Sequence, residues 1–151
     1  MGKLCIHCSK KQILLISCVV FCLACAGNNS TLKDGYYTAE AAQFDEHGWK
    51  EYVTVCVSDG RIILIDYNAF NPSGFIKSWD MNYMRMMNAS DGIYPNAYVR
   101  FYKEQAMSNQ GTGGVEALSG ATNSYKTFIV LTDAALENAR LGLTETRLVD
   151  F

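Results

Sequence analysis

The chain has 151 residues, 49% of them apolar and 19% charged, which is enough apolar material for one globular domain with its own core. Its 13 basic residues stand against 15 acidic ones and form no stripe, which excludes the basic footprint that nucleic acid requires.

Lys3, Lys10 and Lys11 precede an uncharged apolar run from Ile13 to Ala24. A basic start followed by an apolar stretch shorter than the roughly 20 residues of a spanning helix is the layout of a secretory signal peptide. The run closes on Phe21-Cys22-Leu23-Ala24-Cys25 and gives way to the small, polar Ala26-Gly27-Asn28-Asn29-Ser30-Thr31. A small residue before a cysteine at this point resembles a bacterial lipobox, whose cysteine is acylated and becomes the mature N-terminus. Cys25 is assigned as the lipidation site, with Cys18 as the second candidate. Two acyl chains, palmitate among them, hold a protein stably on a membrane where one binds marginally. An uncleaved N-terminal anchor is the alternative, and it leaves the domain on the same extracytoplasmic side. The chain therefore divides into a signal peptide over 1–24, a lipidated N-terminus and tether over 25–33, and one domain over 34–151.

This division settles the cysteines. Cys5, Cys8, Cys18 and Cys22 leave with the signal peptide, Cys25 is acylated, and Cys56 stays alone, so the exported domain relies on its core rather than on a disulfide. Cys5-Ile6-His7-Cys8 has a metal-like or redox-like spacing, but it falls in the removed segment, and no metal site is expected. Loss of the three lysines takes the 13 basic residues to ten against 15 acidic ones, a net charge of about −5, and leaves His47 as the remaining histidine.

Along the domain, Asp34-Gly35 opens a strand that runs to about Gln43. Glu46-His47-Gly48 turns the chain into Tyr52-Val53-Thr54-Val55-Cys56-Val57, which is rich in β-branched and aromatic residues. Asp59-Gly60 separates this run from Arg61-Ile62-Ile63-Leu64-Ile65-Asp66-Tyr67, and an Asp-Gly step there is a hairpin signal. The second half is helical. Ser78 or Asp80 caps a helix through about Asn88, with Tyr83, Met84, Met86 and Met87 as its apolar side and its methionines as core or pocket filler. Pro95 suits the first turn of a helix to about Asn109, with Tyr98, Phe101, Tyr102 and Ala106 on one face. A last helix carries Phe128, Leu131, Ala135 and Ala139 at helical spacing and ends at Arg140 and Gly142. The fold class is α+β, a small antiparallel sheet of three or more strands packed with about three helices.

The segment with chemical promise is Val115-Glu116-Ala117-Leu118-Ser119-Gly120-Ala121-Thr122-Asn123-Ser124, at the entry of the last helix. Gly120 and Ala121 let the backbone approach a ligand, the free N–H groups of a helix start favour an anion, and Thr122 and Ser124 add hydroxyls. The same residues also suit an ordinary N-cap by Ser119 or Thr122. A hydrolytic site would need a base for Ser119 or Ser124, and only His47 is left for that role.

Glu116, Ser119, Gly120, Ala121, Thr122 and Ser124 occupy in order the positions of an acidic-x-x-Ser/Thr-Gly-Ala-Thr-x-Ser/Thr pattern. In this the segment resembles the FMN-binding domain family found in subunits of sodium-pumping NADH:quinone oxidoreductases, in Rnf-type complexes and in extracellular flavin lipoproteins. Asp34-Gly35-Tyr36-Tyr37, the run from Phe44 to Lys50, Lys77-Ser78-x-Asp80-x-x-Tyr83 and Leu136-Glu137-Asn138-Ala139 are similar to the small lipoprotein members, including the treponemal membrane-immunogen lipoproteins. The resemblance implies FMN as cofactor, with Ser124 as the hydroxyl that a flavin transferase esterifies to the FMN phosphate; reversible binding is the other mode. It further implies an electron carrier at the extracytoplasmic membrane face, supplied by a membrane oxidoreductase. Trp49, Trp79, Tyr83 and Met87 are candidates for the wall around the flavin ring, and Lys77 for opposing its negative charge. A cofactor-free surface lipoprotein, using the same scaffold for binding or structure, is the alternative function.

Overall fold

The computed structural model describes residues 31–151, so the readings on Cys5, Cys8, Cys18, Cys22 and Cys25 lie outside the described residues. Four strands form one sheet: β1 (Gly35–Ala41), β2 (Lys50–Ser58), β3 (Arg61–Phe70) and β4 (Arg147–Val149), in the order β3-β2-β1-β4. β1 and β2 pair antiparallel from Gly35 opposite Val57 to Glu40 opposite Tyr52. The β2–β3 hairpin turns on Asp59 and Gly60, whose φ values of 53° and 69° place both in the left-handed region. That is the geometry a two-residue hairpin turn needs, and Asp-Gly supplies it. A bulge beside Cys56 and Val57 inserts Ile63 into β3.

β4 was not visible in the sequence pattern and changes the character of the sheet. It pairs parallel to β1, Ala39 opposite Arg147 through Ala41 opposite Val149, so the sheet is mixed rather than wholly antiparallel. Its three residues are too few to show an alternation, and the long return through the last helix brings them back to the β1 edge.

The inner face of the sheet carries Tyr37, Ala39, Val53, Val55, Val57, Ile65 and Tyr67, all buried. Helices α1 (Met81–Asp91), α2 (Pro95–Asn109) and α3 (Thr122–Leu141) complete the fold, after a short 3-10 turn at Lys77–Trp79. α3 buries Phe128, Leu131, Ala135 and Ala139, the four residues its periodicity marks, and α2 buries Tyr98, Tyr102 and Ala106. Phe128 stacks on Tyr102 at 5.6 Å and tilts against Tyr67 at 5.0 Å, tying both helices to β3. Each such large side chain contributes about 1.5–3 kcal/mol by leaving water. α2 ends at Gln110, whose amide bonds the N–H and C=O of Ile62 at 2.9 and 3.0 Å and so closes the start of edge strand β3. α3 ends at Gly142, left-handed with its N–H on Asn138 O at 2.7 Å.

α1 takes the pocket alternative of its expected role through Tyr83 and Met87, and not the core one. Asp80 caps it, accepting from the N–H groups of Asn82 and Tyr83, but none of its residues is buried and Met86 is 65% exposed. Tyr83, Met84 and Met87 are partly covered, and Tyr83, Met87 and Asp91 form part of the wall of a cleft. Among the described residues no helix is long and apolar enough to cross a membrane.

Candidate functional site

At the end of the sheet where β1 finishes and β2 begins, a cleft of about 760 Å³ opens between the 43–49 loop, α1, the start of α3 and the C-terminal residues 149–151. Its floor is the first turn of α3. The N-cap of that helix is Ala121, with no side-chain cap hydrogen bond, so neither Ser119 nor Thr122 satisfies the helix start. The first-turn N–H groups therefore face the cleft without a side-chain acceptor, an arrangement that favours a bound anion. Gly120, Ala121, Thr122, Asn123 and Ser124 all line it.

Gly120 has a packing reason beside its place on the cleft. Its φ is +79°, and a Cβ there would meet Asp91 O at 2.6 Å and Ile93 Cγ2 at 2.9 Å. Glycine is required there because the turn before α3 packs on the end of α1. The same turn leaves Ser119 and Glu116 exposed and outside the cleft, with the Glu116 N–H bonded to Gln105 Oε1 at 3.0 Å.

Behind Ser124 stands a buried polar cluster. Ser124 Oγ donates to Glu51 Oε1 at 3.5 Å, and Lys77 Nζ lies 3.7 Å from the same oxygen. The Tyr67 hydroxyl lies 2.9 Å from Glu51 Oε2 and 2.9 Å from the Ser124 carbonyl. One phenolic proton serves two acceptors, and it ties the carboxyl of β2 to the backbone of α3. Burial raises the Glu51 pKa; the Lys77 charge and the bond from Tyr67 pull it partly back, and the net direction is up. Burial acts to lower the Lys77 pKa, but the facing Tyr98, Glu51, Tyr83 and Asp45 outweigh it, so Lys77 stays charged.

The wall is aromatic on one side. Asp45 Oδ1 accepts from the N–H groups of His47 and Trp49 at 2.9 and 2.8 Å, a tight turn that sets Trp49 into the cleft. Trp49 meets Tyr83 edge to face at 5.6 Å, and Lys77 Nζ lies 5.1 Å from the Tyr83 ring centre and 5.9 Å from that of Trp49. The structure thus brings together Trp49, Lys77, Tyr83 and Met87 with residues 120–124. Trp79 is the exception among the expected aromatics: it is 68% exposed and does not line the cleft. His47 lines the rim, exposed and 3.6 Å from Glu46, while the base beside Ser124 is Glu51. Among the described residues no cluster suited to a metal ion occurs.

Glu51 is the site residue that motif reading missed. The inward positions of β2 run Glu51, Val53, Val55, Val57, so strict alternation places a carboxylate on the core face, and that was the available signal.

No protein-family model matches the chain. Over 116 residues, 77% of this chain and 82% of the relative, it is 34% identical to a 15 kDa lipoprotein of Treponema pallidum (strain Nichols). The chain belongs to this family of small lipoproteins. Membership agrees with the lipobox reading and makes it a lipid-anchored, membrane-associated protein. The fold recurs in a crystal structure of a Clostridium perfringens protein, with TM-score 0.76 and 37% identity over 80% of this chain and 98% of that one. A Clostridium thermocellum protein solved by NMR is similar at TM-score 0.51 and 28% identity, over 72% of this chain and 92% of its own.

Proposed function

We propose that this lipoprotein binds FMN in the cleft and serves as an electron carrier on the extracytoplasmic face of its membrane. The observation that carries the reading is the uncapped first turn of α3, which opens into an aromatic-walled cleft with the buried cation Lys77 beside it. A phosphate at that turn would meet free N–H groups and the hydroxyl of Thr122. Trp49, Tyr83 and Met87 would cover an apolar ring system, and Lys77 would oppose negative charge on it. When bound, FMN supplies the reversible redox chemistry, while the protein supplies attachment, orientation and tuning.

Ser124 is the hydroxyl we assign to covalent attachment. Its proton has an acceptor in place: Glu51 Oε1 is 3.5 Å away, and the raised pKa of that carboxyl makes it a better base than an exposed glutamate. Tyr67 keeps the two groups in register by bonding both. A flavin transferase would catalyse the transfer from a flavin adenine dinucleotide donor: Ser124 Oγ would form the new bond to the flavin-side phosphorus, the pyrophosphate bond would break with AMP leaving, and the serine proton would pass to Glu51. A membrane oxidoreductase would deliver electrons.

The reading is tested by producing the full chain together with a flavin transferase and recording its visible absorbance. A yellow protein whose flavin content falls in Lys77→Met supports it. A colourless, folded protein contradicts it and favours a cofactor-free surface lipoprotein.

A further inference from the structure

Exposed large apolar side chains occur at both ends of the domain, Met81 and Met86 on α1 and Phe151 at the cleft end and a second group at the opposite pole. α3 begins in the cleft at Thr122 and ends at Leu141, and its 20 residues span about 30 Å. At this far pole the described chain begins. The Lys33 N–H donates to Ala139 O at 3.0 Å, Lys33 Nζ donates to Leu141 O at 2.8 Å, and Thr31 lies against Gly60 of the β2–β3 turn. The segment leading back to the N-terminus is therefore fastened to the last turn of α3, opposite the cleft.

Thr31 stands six positions after Cys25, a reach of about 20 Å at full extension. An acylated Cys25 holds this pole within that distance of the bilayer. The pole carries large apolar side chains that nothing in the domain covers: Leu141 is 52% exposed, Leu143 53%, Ile63 54% and Tyr36 65%. Lys33, Arg61 and Arg140 are exposed in the same segments, Arg140 paired with Glu137 at 3.1 Å, and so are the acidic Asp34, Asp59 and Glu145. Leucine and isoleucine side chains with a tyrosine at the margin suit the boundary between phospholipid headgroups and acyl chains, and with the charges mixed the attraction is the apolar contact.

We propose that this pole, formed by Leu141, Leu143, Ile63 and Tyr36, rests on the phospholipid surface that holds the acyl chains, so that the cleft opens on the opposite, aqueous side. The inference uses Cys25 as the acylated residue and stands whether or not the cleft holds FMN. A partner that exchanges anything with the cleft then reaches it from the aqueous side, about 30 Å from the end that touches lipid.

The test places one fluorophore at each pole of the full, acylated chain in phosphatidylcholine–phosphatidylglycerol vesicles containing a nitroxide-labelled lipid. Leu143→Cys and Phe151→Cys, each in a Cys56→Ala background, provide the labelling sites, since both positions are exposed surface. Quenching several-fold stronger at position 143 than at 151 is expected. Equal quenching, as for a domain tumbling freely on its tether, or stronger quenching at 151 overturns the proposal. Hydrogen exchange of the unlabelled acylated chain on vesicles reads the same point should a labelled variant fail to fold. Protection gained at residues 141–144 relative to detergent-free, unacylated protein is expected, and no gain there overturns the proposal.

Discussion

Ser124 on α3 and Glu51 on β2 stand 73 residues apart in the chain, yet the serine hydroxyl donates to the glutamate carboxyl at 3.5 Å. The pairing joins a motif hydroxyl to a carboxylate that the motif does not contain. It also explains why Ser124 is held almost buried while Thr122 and Asn123, on the same turn, are exposed.

Glu51 makes stability depend on pH with a definite sign. Its folded pKa lies above the ordinary glutamate value of about 4.3, so the folded state binds the proton more tightly than the unfolded chain. Its contribution is fully present below that ordinary value and is lost as pH rises through the folded pKa. Urea unfolding of the native chain and of Glu51→Gln, compared from about pH 4 to about pH 8, should show the native stability falling relative to the variant as pH rises. Parallel curves would remove Glu51 from this role.

Lys77 is the other half of the pair, 5% exposed and without a second carboxylate at bonding distance among the described residues. Lys77→Met leaves the Glu51 carboxylate buried and uncompensated, which costs about 3–5 kcal/mol near neutral pH. Lys77→Met combined with Glu51→Gln should recover much of this. A double variant no more stable than the single one would mean that the two groups do not act as a pair.

Much of this architecture is legible in the sequence, and what is not has physical causes. The Asp59-Gly60 hairpin, the span of α2 and the buried stripe of α3 follow from local turn chemistry and helical period. β4 is hidden because three residues carry no period, and the parallel partner that defines it is more than 100 positions away. α1 is legible in part, because methionine and tyrosine at helical spacing signal an apolar side without saying whether core or cleft receives it. Within the site, residues 120–124 are found by motif. Ser119 and Glu116 are not brought in, because the positive φ of Gly120 turns the chain away before α3 begins.

Gly120→Ala tests that turn. The substitution combines a left-handed backbone with a contact of 2.6 Å to Asp91 O, and it should cost about 1–3 kcal/mol. Thermal unfolding would read the loss. A variant as stable as the native chain would show that the turn relaxes freely.

Thr132 offers a gain instead. It is fully buried in α3, and its Oγ1 has no hydrogen-bond partner among the described residues. Thr132→Val keeps the shape and removes the unpaired hydroxyl, so stability should rise by about 1 kcal/mol. A loss of that size in urea unfolding would reveal a partner for the hydroxyl.

The central claim is that the cleft at the start of α3 holds FMN through Ser124. Peptide mass spectrometry of the full chain, produced together with a flavin transferase and denatured before digestion, tests it most directly. The account predicts FMN joined through its phosphate, with loss of one water, on the peptide containing Ser124, and no such mass in Ser124→Ala. An unmodified Ser124 in a folded protein that also lacks bound flavin, or flavin retained covalently in Ser124→Ala, would contradict it.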